Sequence, residues 1–154
     1  MGSGRDDAHP SRNSGVISVN EAIVKTDSEV TASDARTANL VLWGDTDSNS
    51  YLRKIAGGLP VAWDNGNLRM AGKSYPASGH APILIYPNPE NPKRYVVLNS
   101  GFTFREYDYL NNARQIPKLP DWAVVDLSVA PDSRWPGRIA DAGFFGEKWE
   151  LKVR

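Results

Sequence analysis

The chain has no cysteine, which excludes disulfides and thiolate metal sites and is neutral about compartment. It has two histidines, His9 and His80, too few for a usual zinc site without carboxylates whose geometry a sequence does not show. It has no net charge, eighteen basic residues against eighteen acidic ones, so no broad field draws it to nucleic acid or to an anionic membrane. No stretch approaches the roughly twenty apolar residues of a membrane span. The N-terminus lacks the apolar core of a signal peptide, so the chain as written carries no export address and is compatible with being part of a larger polypeptide. Neither GxGxxG nor GxxxxGK[ST] is present, and Gly44, Gly57 and Gly58 therefore make no phosphate cradle. No cofactor and no metal are expected.

What the chain does have is an ordinary globular composition, 40% hydrophobic and 23% charged over 154 residues, enough for one domain with a tail. Its most informative stretch is Ala81–Gly101. Two apolar runs, Ile83–Tyr86 and Tyr95–Leu98, flank a proline-punctuated connection, and the second empties into Asn99-Ser100-Gly101. A run that is apolar at every position belongs to a strand covered on both faces. The expectation is therefore an α/β fold, a three-layer αβα sandwich with a mixed, mostly parallel central sheet and a small edge hairpin.

Residues 1–30 are rich in Gly, Ser, Asp and Asn and read as a flexible tail or linker with one docked segment at most; residues 31–154 read as a single domain. Thr31 to Asp34 has the form of a helix start, Thr31 capping and Asp34 reaching back. Leu40–Trp43 reads as a first buried strand, Tyr51–Ala56 as a short helix capped from Ser48-Asn49-Ser50, and Leu59–Trp63 as the next strand, together a tight βαβ unit. Asp64-Asn65-Gly66-Asn67 is a turn by composition, and the residues around Gly72-Lys73 form an edge hairpin. The Pro87–Arg94 connection is too short for a parallel crossover, so the strands beside it should be antiparallel if they are neighbours. Phe104, Tyr107, Leu110 and Ala113 recur at steps of three, which predicts a helix over Thr103–Arg114 ended by Pro117 and Pro120. Trp122–Leu127 reads as a buried strand parallel to Tyr95–Leu98, and Ile139–Phe145 as a last strand or extended edge, with Trp149 and Leu151 covering part of the core.

Several groups carry chemistry in principle. Ser100, His80 and Asp126 are the residue types of a nucleophilic triad, and Ser100 lies between a strand and a helix. A nucleophile elbow, however, needs small residues two before and two after the serine, and here those are Leu98 and Phe102, so capping is the simpler role. Asp45-Thr46-Asp47-Ser48-Asn49 imitates the opening of a calcium loop but offers Ser50 and Ala56 where Gly and Glu are required. An Asx-turn with helix capping accounts for it. Arg105, Glu106 and Asp108 follow a central strand, where open sheets place ligands, but equally form a solvated helix face. Among the aromatics, those inside strands read as core. Trp135 and Trp149, outside the buried runs, are the candidates for an exposed docking patch.

From Val24 to Leu151 the chain resembles a known module. The carrying segments are Asp27–Thr31 (DSEVT), Asn39–Asn49 (NLVLWGDTDSN), Lys73–Pro76 (KSYP), Pro82–Tyr95 (PILIYPNPENPKRY), Asn99–Ala113 (NSGFTFREYDYLNNA), Pro117–Asp126 (PKLPDWAVVD) and Gly143–Gly146 (GFFG). They are similar to the C-terminal accessory domain of large bacterial secreted proteins, where it follows an α/β-hydrolase domain of the prolyl oligopeptidase (S9) type. The resemblance implies an extracellular or periplasmic location and a serine peptidase or esterase triad in the preceding domain. It assigns no catalytic residue here, since no GxSxG occurs. The expected function is that of a non-catalytic interaction module docking on a hydrolase domain, on itself or on a surface polymer. Asp45, Asn99, Ser100, Arg105, Trp135 and Trp149 are its candidate contacts. The rival readings are a small serine hydrolase using Ser100 with His80, and a ligand-binding module with its pocket at the strand ends near Asp45 and Ser100.

Overall fold

The computed structural model describes residues 23–99, 119–130 and 137–152. The first secondary structure follows from hydrogen bonding written into the sequence. Thr31 Oγ1 accepts from the Asp34 N–H at 3.2 Å while Asp34 Oδ2 accepts from the Thr31 N–H at 2.7 Å, the reciprocal cap that opens α1 (Ala32–Thr37). Ahead of it, Asp27 Oδ2 accepts from the Ser50 N–H at 2.7 Å, and Val30 packs on the core. The end of the expected tail is thus docked; its first 22 residues lie outside the described residues.

Among the described residues, eight strands form two sheets. The larger has the order β1-β6-β5-β7-β8 and the smaller β2-β3-β4, with β1 Leu40–Leu42, β2 Val61–Asp64, β3 Asn67–Met70, β4 Lys73–Pro76, β5 His80–Asn88, β6 Asn91–Leu98, β7 Trp122–Asp126 and β8 Arg138–Gly143. Besides α1, the helical elements among the described residues are α2 (Ser50–Ile55) and short 3-10 turns. None is long and apolar enough to cross a membrane.

This architecture corrects the three-layer αβα expectation: the described fold is mostly β, and its sheets are mostly antiparallel. The only parallel pair among the described strands is β1 with β6. The expected βαβ unit fails because β2 joins the second sheet. In β2 and β3, Val61, Leu68 and Met70 are buried while Ala62 and Arg69 are exposed, the two-residue alternation of a sheet with one wet face. A strand carrying Arg69 between two core residues has no place in a sheet covered on both sides. The strands β6 and β7 do run the same way, as expected, but β5 lies between them and is antiparallel to each.

The β5–β6 connection is also tighter than expected, two residues (Pro89-Glu90) rather than eight. Pro87 fits within β5 because pairing with β7 has ended at Leu84. Pro92 fits within β6 because pairing with β1 begins only at Val96. Both prolines therefore stand where no ladder needs their missing N–H.

The core lies between the sheets. Leu42, Leu84, Val96, Leu98, Trp122 and Val124 face it from the large sheet and Val61, Leu68 and Met70 from the small one. Helix α2 adds Tyr51, Leu52 and Ile55, and its start is fixed by Asn49, whose Oδ1 accepts from the Leu52 N–H at 2.8 Å.

Candidate functional site

The carboxyl ends of the parallel pair β1 and β6 are where an open sheet would hold a ligand, and two of the sequence candidates meet there. Asn99 is 5% exposed and sits at φ 54°. Its N–H donates to the Leu42 carbonyl at 2.8 Å, its Oδ1 accepts from the Gly44 N–H at 2.9 Å, and its Nδ2 donates to the Pro82 carbonyl at 2.9 Å. Asp45 Oδ1 accepts from the N–H groups of Asp47 and Ser48 and from the Ser48 hydroxyl, at 2.8–3.0 Å. The Ser48 hydrogen bonds hold the Asp45 carboxyl below its usual range. Gly44 completes the turn at φ 98°, and a Cβ there would stand 2.4 Å from Ser48 Oγ. Asn99 thus ties β1, β5 and β6 together, Asp45 fixes the turn that leads into α2, and the Asn99 amide and Asp45 Oδ1 are used in doing so. Ser100, Arg105 and Trp135 lie outside the described residues.

His80 and Asp126 are cross-strand neighbours on β5 and β7, yet they do not form the orienting half of a triad. His80 Nδ1 lies 2.9 Å from the Pro76 carbonyl and so carries the proton it donates there; its ring tilts on Tyr75 with centroids 5.4 Å apart. Asp126 accepts from the Ser128 N–H at 2.9 Å and pairs with Arg138. Hydrogen bonds from Ser128, then Arg138, hold its carboxyl far below the usual range.

Trp149 packs on the core with Leu151, as one reading of the sequence has it, rather than forming an exposed patch, and Trp43 leaves the core. Trp149 is half-buried in an aromatic cluster, its ring 5.5 Å from Tyr95, 5.9 Å from Tyr86 and 5.9 Å from Phe145. The turn that closes Phe145 against Leu151 folds it back onto the core. Trp43, read as buried, is 58% exposed, and Val41 is 44% exposed.

Val41 belongs to a row. It pairs with Val97, which pairs with Ile85, so three apolar side chains cross β1, β6 and β5 on the face turned away from the core. Farther along that face Ile83, Ala123 and Val125 are buried, whereas toward β1 it opens, with Ile85 37% exposed. The row ends at an edge strand of three residues, with Trp43 one residue beyond it. Sequence reading missed this surface because an unbroken apolar run names the residues of two faces without saying how far the second is covered. The one available signal was parity: Val41 and Trp43 alternate with Leu42, which pairs with the core residue Leu98.

No family model, no curated protein and no solved structure matches the chain.

Proposed function

We propose that the chain is a non-catalytic interaction module that binds a partner protein through the open apolar end of its large sheet. The single observation carrying this reading is the row of exposed Val41, half-buried Val97 and exposed Ile85 with exposed Trp43 beside it, a concentration of apolar surface that soluble monomers keep for contacts. Tryptophan is the residue type that dominates such contacts. The reading also agrees with the internal commitments of His80, Asp126, Asp45 and Asn99, which leave no reactive constellation among the described residues. The partner it names is an α/β-hydrolase domain of the S9 type, after the sequence resemblance, and it places the module outside the cytoplasm with that domain.

The test pairs the chain with a separately expressed S9-type hydrolase domain from one of the proteins it resembles, followed by sedimentation velocity. A complex should form, and Trp43→Ala with Val41→Thr should weaken it at least about tenfold while the melting temperature stays unchanged. A complex indifferent to the double substitution, or none at all, overturns the reading. So does hydrolysis of a nitrophenyl ester by the chain alone. A wild-type dimer that dissociates in the double variant would put a second copy in the partner's place.

A further inference from the structure

The unpaired N–H and C=O groups along the edge of a sheet are a template for another strand, and proteins blunt them with charge, proline or a bulge. Among the described residues the two sheets have four edges, and three are blunted in this way. β4 carries Lys73 and ends in Pro76. β8 carries Arg138 and Asp141 and shifts register against β7. β2 follows Pro60 and closes on Asp64. β1 has no charge, no proline and no register shift, and Leu40, Val41 and Leu42 run straight into Trp43. Only its shortness protects it.

The alternation of the ladder says which groups of β1 are free. The Leu42 carbonyl faces β6, where it accepts from the Asn99 N–H at 2.8 Å. The N–H and C=O of Val41 therefore point the other way, off the sheet, and have no partner among the described residues. The Val41 side chain meanwhile heads the apolar row that continues through Val97 to Ile85. A strand laid antiparallel beside β1 would exchange both hydrogen bonds with Val41 and carry that row one strand farther.

Charge gives such a strand its direction. Asn91 Nδ2 donates to the Arg36 carbonyl at 2.8 Å, and Asn39 Oδ1 accepts from the Tyr95 N–H at 3.0 Å. The chain from Arg36 to Asn39 thus runs along β6 ahead of β1. Arg36, Lys93 and Arg94 are exposed at that end and form no ion pair among the described residues. At the far end Asp45 and Asp47 stand beside Arg53, which donates to the carbonyls of Thr46 and Asp47. The uncompensated charge is positive and lies at one end only.

We propose that the partner adds an extended strand antiparallel to β1, with β-branched apolar residues at alternate positions and acidic residues at its C-terminal end. This rests on the partner reading above and names the form of the partner's contact. Main-chain hydrogen bonds and the apolar row supply the affinity, and the cations only the direction.

The probe is the peptide Thr-Val-Thr-Val-Thr-Val-Glu-Glu, blocked at both ends and titrated into the full chain labelled with ¹⁵N-valine. The Val41 signal is identified by its loss in Val41→Thr. It should move downfield and saturate. N-methylation of the middle valine, whose N–H faces β1, should abolish the movement, whereas N-methylation of the threonine after it, whose N–H faces away, should not. The reversed sequence should bind about threefold more weakly or worse, and Lys93→Glu with Arg94→Glu should weaken the forward peptide about tenfold. No saturable movement up to about 10 mM, ten times a millimolar dissociation constant, overturns the proposal. Equal tolerance of the two N-methyl groups does the same, since it means a peptide lying on the face and not along the edge. So does a reversed peptide that binds as well as the forward one. A hydrolase-domain complex that depends on Trp43, with no binding of the peptide, would leave the partner reading standing and remove the strand. Peptide binding without that complex would keep the strand and remove the hydrolase domain as its source.

Discussion

Asn99 combines two demands that only a few residue types meet. Its backbone is left-handed at φ 54°, a conformation that costs most L-residues about 1–2 kcal/mol and asparagine less. Its side chain bridges Gly44 to Pro82 from a buried position. Asn99→Gly would keep the backbone and lose the bridge, whereas Asn99→Ala would lose both. Each should destabilise the fold, glycine by about 2–3 kcal/mol and alanine by about 1 kcal/mol more. Urea unfolding checks this through the midpoint at constant slope. Equal losses would mean that the left-handed strain is not carried by residue 99. Nothing in the sequence distinguished this asparagine from Ser100 as a ligand contact; both follow a strand, and only the register of β1 against β6 gives Asn99 its partners. Asp45 was legible, because an aspartate two and three residues before donors is a local Asx-turn that needs no tertiary information.

At the scale of elements, local chemistry was readable and long-range order was not. The Thr31–Asp34 cap, the helix at Tyr51, the strand at Trp122 and the antiparallel Ile83–Leu98 pair all rest on residues close in sequence. What failed was the assignment of β2, since a strand after a short helix is compatible with the same sheet or another, and the exposed Arg69 of its neighbour was the unused clue. The β2–β3 and β3–β4 hairpins illustrate what local chemistry also controls. Each has a two-residue loop with positive φ at both positions, Asn65 (46°) and Gly66 (74°) in one, Ala71 (50°) and Gly72 (76°) in the other. Asn-Gly suits such a turn and Ala-Gly does not. Ala71→Asn should therefore raise stability by about 0.5–1 kcal/mol and Asn65→Ala lower it by a similar amount, read as opposite shifts of the melting temperature. Shifts of the same sign would show that packing of Ala71 against the core outweighs its backbone strain.

The whole molecule is bracketed by two sets of titrating groups, and their signs give its stability a plateau. On the acid side, Asp45, Asp126 and Asp141 all have carboxyls held below their usual range, by the Ser48 hydrogen bonds, by Ser128 with Arg138, and by Lys73 respectively. A group whose folded pKa is depressed contributes stability that is present above its unfolded value and is lost as pH falls through the folded one. The melting temperature should accordingly hold down to about pH 4 and decline below it. Asp126→Asn should start lower and decline less. On the alkaline side, burial pushes Tyr51 and Tyr75 up to about 12 from 10.0, with Glu90 adding to the first and Asp141 to the second. A folded pKa raised above the unfolded one means the opposite sign: that stability is whole below pH 10 and is lost as pH rises toward 12. Tyr75 also ties β4 of the small sheet to β8 of the large one through Asp141, so Tyr75→Phe separates the two consequences. It should lower the unfolding free energy at neutral pH by about 0.5–1.5 kcal/mol for the missing hydrogen bond, yet flatten the loss between pH 10 and 12, leaving the part due to Tyr51. An alkaline limb of unchanged steepness in that variant would mean that Tyr75 is not what the fold protects from ionisation.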